Sequence, residues 1–65
     1  MNNLKKFRTA LNLTQIEVAT ACNISERQYI RYERSNSEPT VFIAIKLAKV
    51  LNTTVEELFP LSEVK

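Results

Sequence analysis

Three arginines, Arg27, Arg31 and Arg34, recur at spacings of four and three residues in the polar segment Glu26-Arg27-Gln28-Tyr29-Ile30-Arg31-Tyr32-Glu33-Arg34. On a helix, residues three and four apart are neighbours, so the three guanidinium groups share one face. A guanidinium fork matches the O6 and N7 acceptors of guanine in the major groove of DNA, and it also neutralises phosphates. The same face is equally that of a plain solvated helix, the usual setting of charged side chains. Glu26 has two readings, as an acceptor for cytosine N4–H or as an acid that favours a helix N-terminus. Gln28 either completes a helix cap or faces the same partner as the arginines. Ile30 either meets a thymine methyl group or is an ordinary exposed apolar residue.

Other chemistries lack their residues. The chain of 65 residues has no histidine, no glycine and one cysteine, Cys22. The commonest general base is therefore missing, and so is a glycine-rich phosphate loop. Nothing in the spacing of the glutamates and lysines gathers them into an acid–base site, so an enzyme is the weakest class, and neither a cofactor nor a small-molecule ligand is expected. A single thiol without imidazoles holds no metal and forms no disulfide within the chain. Cys22 reads as a small buried hydrophobe. The net charge of +2 permits a nucleic-acid partner without requiring one. No apolar run is long enough to span a membrane, and Met1 to Lys6 lacks the apolar stretch of a secretory signal, so a cytoplasmic protein is expected. One domain of this size buries only about 60% of its unfolded surface. With neither disulfide nor metal to reinforce it, a partner subunit remains.

The elements that must position the arginine face are five short helices and no strands, an all-α domain over 1–60 with a tail at 61–65. The first spans about Asn2 to Ala10, with Leu4, Phe7 and Leu11 at helical spacing, and Asn12 breaks it. The second spans about Thr14 to Ala21 and opens with a capping box, Thr14 and Glu17; Val18, Ala19 and Cys22 form its inner face. The third runs from Ser25 to Arg34, with a second capping box in Ser25 and Gln28. Tyr29, Tyr32 and Glu33 face inward, while Glu26, Arg27, Gln28 and Arg31 face outward. Only Cys22, Asn23 and Ile24 separate the second and third helices, the spacing of a helix-turn-helix. Pro39 marks the start of a fourth helix, about Thr40 to Leu51, which is apolar over well over half its circumference. The fifth begins at Thr54, with Glu57 as a third box partner, and stops at Pro60. The absence of glycine leaves asparagine to supply the left-handed conformation that helix ends often need, Asn23 first and Asn12 or Asn52 next.

From Leu4 to Phe59 the chain resembles the Cro/cI-type helix-turn-helix regulators, the XRE family. The matching residues are Leu13-Thr14-Gln15, Val18-Ala19, Ile24-Ser25, Tyr29, Tyr32-Glu33-Arg34, Pro39, Leu47-Ala48, Leu51 and Leu58-Phe59, in order and at the family's spacing. The resemblance implies a lambda-repressor-like five-helix domain whose third helix lies in the major groove of double-stranded DNA. It implies base contacts from Glu26, Arg27 and Arg31, with Gln28 nearby. It implies phosphate contacts from Gln15, Arg34, Asn36 and Thr40. Arg8 and Glu33 match a pair that ties the first helix to the end of the third. The chain departs from the family at Asn12, Asn23, Ser35 and Asn52, where glycine is common, at Tyr29, Ile30 and Tyr32, and at Glu26, an acid at a groove position.

The surplus apolar surface of the fourth helix, with the apolar end of the chain near it, leads us to expect a homodimer through Val50, Leu58 and Leu61. Two such copies present two reading helices about 34 Å apart to a near-palindrome. The reading is a sequence-specific transcriptional repressor. The alternative from another class is an antitoxin or interaction module whose main partner is a protein.

Overall fold

The computed structural model describes residues 2–61. It contains α1 (Leu4–Ala10), α2 (Gln15–Ala21), α3 (Glu26–Glu33), α4 (Val41–Val50) and α5 (Val55–Leu58), with no strand among the described residues. Four of the five starts share one device. Thr14, Ser25, Thr40 and Thr54 each sit in extended backbone just outside the helix, and each side-chain oxygen accepts the backbone N–H three residues on. Each hydroxyl thus satisfies a donor that the helix leaves free. The helices therefore begin one residue later than the sequence suggests. Only Thr14 and Glu17 form the full reciprocal box. The Gln28 side chain turns to the Tyr32 hydroxyl instead, and Glu57 accepts from Thr53 Oγ1. α1 starts at Leu4 rather than Asn2, because Asn2 Oδ1 accepts the Leu4 N–H at 3.0 Å. Asn3 ties this end of the chain to α5, its N–H donating to the Leu58 carbonyl and its side chain to that of Glu57.

Four helix ends also share a device. Asn12, Asn23, Ser35 and Asn52 have φ of 59°, 60°, 60° and 57°. In each case the residue after the left-handed one donates back to a carbonyl five positions earlier: Leu13 to Arg8, Ile24 to Ala19, Asn36 to Arg31 and Thr53 to Ala48. This is the Schellman arrangement, built here without glycine. Three asparagines tolerate this region through their short polar side chains. Ser35 was not anticipated; the Asn36 N–H to Arg31 bond, at 2.9 Å, carries it into the same conformation.

The core is one cluster: Leu4, Val18, Ala19, Cys22, Tyr29, Tyr32, Leu47, Ala48, Leu51 and Leu58, all buried. Phe7, Leu13, Ile24, Ile43, Val50, Val55 and Phe59 pack around it half-buried. Leu11 is 44% exposed, because it caps α1 rather than continuing its apolar stripe. Of the tail assigned to 61–65, only Leu61 falls within the described residues.

The join between α1, α2 and α3 is polar. Glu33, its side chain 6% exposed, accepts three hydrogen bonds. Arg8 Nε from α1 lies 2.6 Å from Oε2, the Tyr29 hydroxyl donates to the same oxygen at 2.7 Å, and Gln15 Nε2 from α2 donates to Oε1 at 3.1 Å. Arg8 Nη1 also donates to the Leu13 carbonyl at 2.8 Å, which pins the α1–α2 turn. Burial pushes the Glu33 carboxyl up, but the bonds from Arg8, Tyr29 and Gln15 outweigh it and hold the group below its ordinary value. The bond to Glu33 raises Arg8 despite burial, and burial followed by the bond to Glu33 raises Tyr29.

Asn23→Gly leaves stability within about 0.5–1 kcal/mol, since relief of strain offsets the extra freedom of the unfolded chain. Asn23→Val, with a branched Cβ at φ 60°, costs at least about 1–2 kcal/mol and lowers Tm by about 4–8 °C per kcal/mol. Equal melting curves for the two variants contradict this. A depressed folded-state value means that Glu33 contributes stability above its unfolded value, near 4.3, and loses it as pH falls through the folded one. Tyr29→Phe removes one donor and no charge, so it moves the acid-unfolding midpoint to higher pH; coincident acid titrations by circular dichroism contradict this. Arg8→Ala leaves the carboxylate buried without its counter-charge, a loss of about 3–5 kcal/mol at full burial, large beside a whole domain's 5–15 kcal/mol.

Candidate nucleic-acid interface

α2 and α3 form the most extensive helix pair in the fold, joined by Cys22, Asn23, Ile24 and the cap residue Ser25. The turn is short because Asn23 reverses the chain in one left-handed step and Ile24 folds back onto the core. α3 is then held on one side only. Tyr29 and Tyr32 enter the core, and Glu33 enters the polar join. The opposite side is open and forms a shallow groove lined by Glu26, Arg27, Ile30, Arg31, Arg34 and Asn36. The structure thus brings the three arginines, Glu26 and Asn36 to one surface. Arg27, Arg31 and Arg34 are all exposed, and Ile30 lies half-buried among them.

This groove holds the charge imbalance of the chain. Three arginines and one glutamate give it +2, equal to the net charge of all 65 residues. The remaining six basic and six acidic residues cancel. An open surface with converging guanidinium groups suits an extended polyanion, whose phosphates and base edges offer acceptors at every step.

The other expected contact residues lie outside the groove lining. Gln15 is half-buried with Nε2 on Glu33, so one N–H of its carboxamide and its Oε1 remain for an outside partner. Thr40 caps α4, its Oγ1 accepting the Ile43 N–H at 3.3 Å; its own hydroxyl proton stays free to donate. Gln28 is exposed, but its carboxamide is bonded to Tyr32 at 2.7 Å. That bond and the Tyr29 and Gln15 bonds to Glu33 are additions to what the sequence led us to expect. For the two tyrosines a signal existed, since Gln28–Tyr32 and Tyr29–Glu33 both stand four apart on one helix.

Of the three residues expected at a dimer surface, Leu58 needs correction. Leu58 is fully buried in the single chain, where it meets the core cluster, so it has no surface to offer a second copy. Val50 is half-buried against the same core, and Leu61 is 78% exposed. The surplus apolar surface of α4 lies at its other end, where Val41 and Phe42 are 71% and 78% exposed and Ile45 continues the stripe. Among the described residues, no helix is long and apolar enough to cross a membrane.

A family profile described as Helix-turn-helix matches residues 4–58. Among curated proteins, the chain is 33% identical over 58 residues to an uncharacterized HTH-type transcriptional regulator of Methanocaldococcus jannaschii, covering 89% of this chain and 88% of that protein. It is 30% identical over 60 residues to an uncharacterized HTH-type transcriptional regulator of Archaeoglobus fulgidus, covering 92% and 84%. The matched span takes in all five helices, the α2–turn–α3 unit and the arginine groove, and the chain belongs to the XRE-type helix-turn-helix family, a family of transcriptional regulators and not of enzymes.

Proposed function

We propose that this chain is a sequence-specific DNA-binding regulator of transcription that enters the major groove with α3. The observation that carries the reading is the location of its charge: the whole net +2 sits on the exposed face of the second helix of a helix-turn-helix. Arg27 and Arg31 read bases, each fork suited to guanine O6 and N7. Glu26 accepts from cytosine N4 or serves the helix dipole, and Gln28 joins the base contacts. Arg34, Asn36, Thr40 and Gln15 hold phosphates, which fix register without choosing sequence. Occupying an operator is the simplest consequence of such binding, so repression is the mode proposed, in the cytoplasm. A pair of copies spans a near-palindrome, with Leu61 and Val50 as the remaining candidates for their contact.

One observation favours a second reading. The exposed Val41, Phe42 and Ile45 stripe is the kind of surface a protein partner covers, as an antitoxin or interaction module requires. Binding titrations on operator and scrambled duplex at several salt concentrations separate the two. Arg31→Ala weakens operator binding by about 1–3 kcal/mol while leaving scrambled DNA less affected, so the ratio narrows. Arg34→Ala weakens both duplexes alike and lowers the salt slope by roughly one unit. The operator complex contains two chains. Failure of the parent to bind either duplex overturns the DNA reading in favour of a protein partner. An intact ratio in both Arg27→Ala and Arg31→Ala overturns only the base-reading assignment.

A further inference from the structure

One polar contact on α3 serves neither the core nor the join at Glu33. Gln28 Nε2 donates to the Tyr32 hydroxyl at 2.7 Å, across one turn of the helix. Gln28 is exposed, whereas Tyr32 is 2% exposed, its ring in the core cluster and its backbone carbonyl accepting from Asn2 Nδ2 at 2.8 Å. The tip of a flexible surface side chain is therefore anchored to a phenol that the core holds still.

We propose that Tyr32 is a positioning residue that sets the Gln28 carboxamide for adenine. The inference rests on the reading of α3 as the groove helix. A primary carboxamide carries two N–H groups and one acceptor oxygen. With one N–H on the Tyr32 hydroxyl, the second N–H and Oε1 remain as an adjacent donor and acceptor. That pair complements adenine, whose N7 accepts and whose N6–H donates. The arginines supply donors only and suit guanine, so the tethered glutamine adds a second kind of reader at the edge of the same helix. An untethered glutamine has to give up its rotamer freedom when it binds, and the bond to Tyr32 spends that freedom beforehand, an advantage of about 2- to 10-fold for one ordered side chain. Tyr32→Phe keeps the ring in the core and releases Gln28 into water, so no buried polar group is stranded.

The test is selection of bound duplexes from a random pool by the parent, Tyr32→Phe and Gln28→Ala, with melting curves of all three. The parent selects adenine at one position that Gln28→Ala loses. Tyr32→Phe weakens that preference by about 2- to 10-fold, with the other positions and the melting temperature unchanged. A Tyr32→Phe variant with the parent's adenine preference overturns the proposal, as does one that weakens every position alike, which marks a merely structural role. Adenine kept by Gln28→Ala overturns it too. A parent that binds duplexes but enriches no sequence, or binds none, overturns the base-reading role of α3 itself, and the proposal with it.

Discussion

The Glu33 carboxylate is the joint on which the rest of this structure depends. It accepts from Arg8 on α1, Gln15 at the start of α2 and Tyr29 one turn back on α3, so one side chain fixes three helices to one another. A domain of 65 residues with no disulfide has few other means of setting helix orientation, because its apolar core is small and packs without direction. Hydrogen bonds to a buried charge are directional and strong, and no buried side-chain nitrogen or oxygen among the described residues is left unpaired. The joint lies at the C-terminal end of α3, on the side away from the arginines. It therefore determines which way the open face points without occupying that face.

Most of the helix frame was legible in the residue types. Thr14, Ser25 and Thr54, each followed three residues later by Glu or Gln, marked three starts, and Pro39 marked the fourth. The hydroxyl caps form as read, but two of the three reciprocal side chains find other partners, because Tyr32 and Thr53 offer hydroxyls nearby. The lack of glycine made Asn12, Asn23 and Asn52 the evident left-handed residues. Ser35 was not legible from its residue type, since serine has no comparable preference; the one signal was that glycine is common at its position in the family the chain resembles.

Burial of single residues was less legible. An apolar pattern states that a residue leaves water, not which surface it leaves water against. Leu58 illustrates this: α5 is one turn long, and Asn3 draws it against α1 through two backbone carbonyls, so Leu58 is consumed by the core of its own chain. The apolar excess of α4 was real but sits at Val41, Phe42 and Ile45, one helix end away from where a contact between copies was expected. The groove itself was the most legible part. Arg27, Arg31 and Arg34 share a surface for the reason their spacing implies, whereas Asn36 joins them only because Ser35 turns the chain back.

The open face of α3 is the surface proposed to meet DNA. Amide chemical shifts of the isotope-labelled protein, titrated with duplex at low salt, test this most directly, since charge contacts operate on any sequence under those conditions. Changes are expected to centre on Arg27, Ile30, Arg31, Arg34 and Asn36, with Val55 to Leu58 unmoved. Changes confined to Val41, Phe42 and Ile45, or no changes at saturating duplex, contradict it.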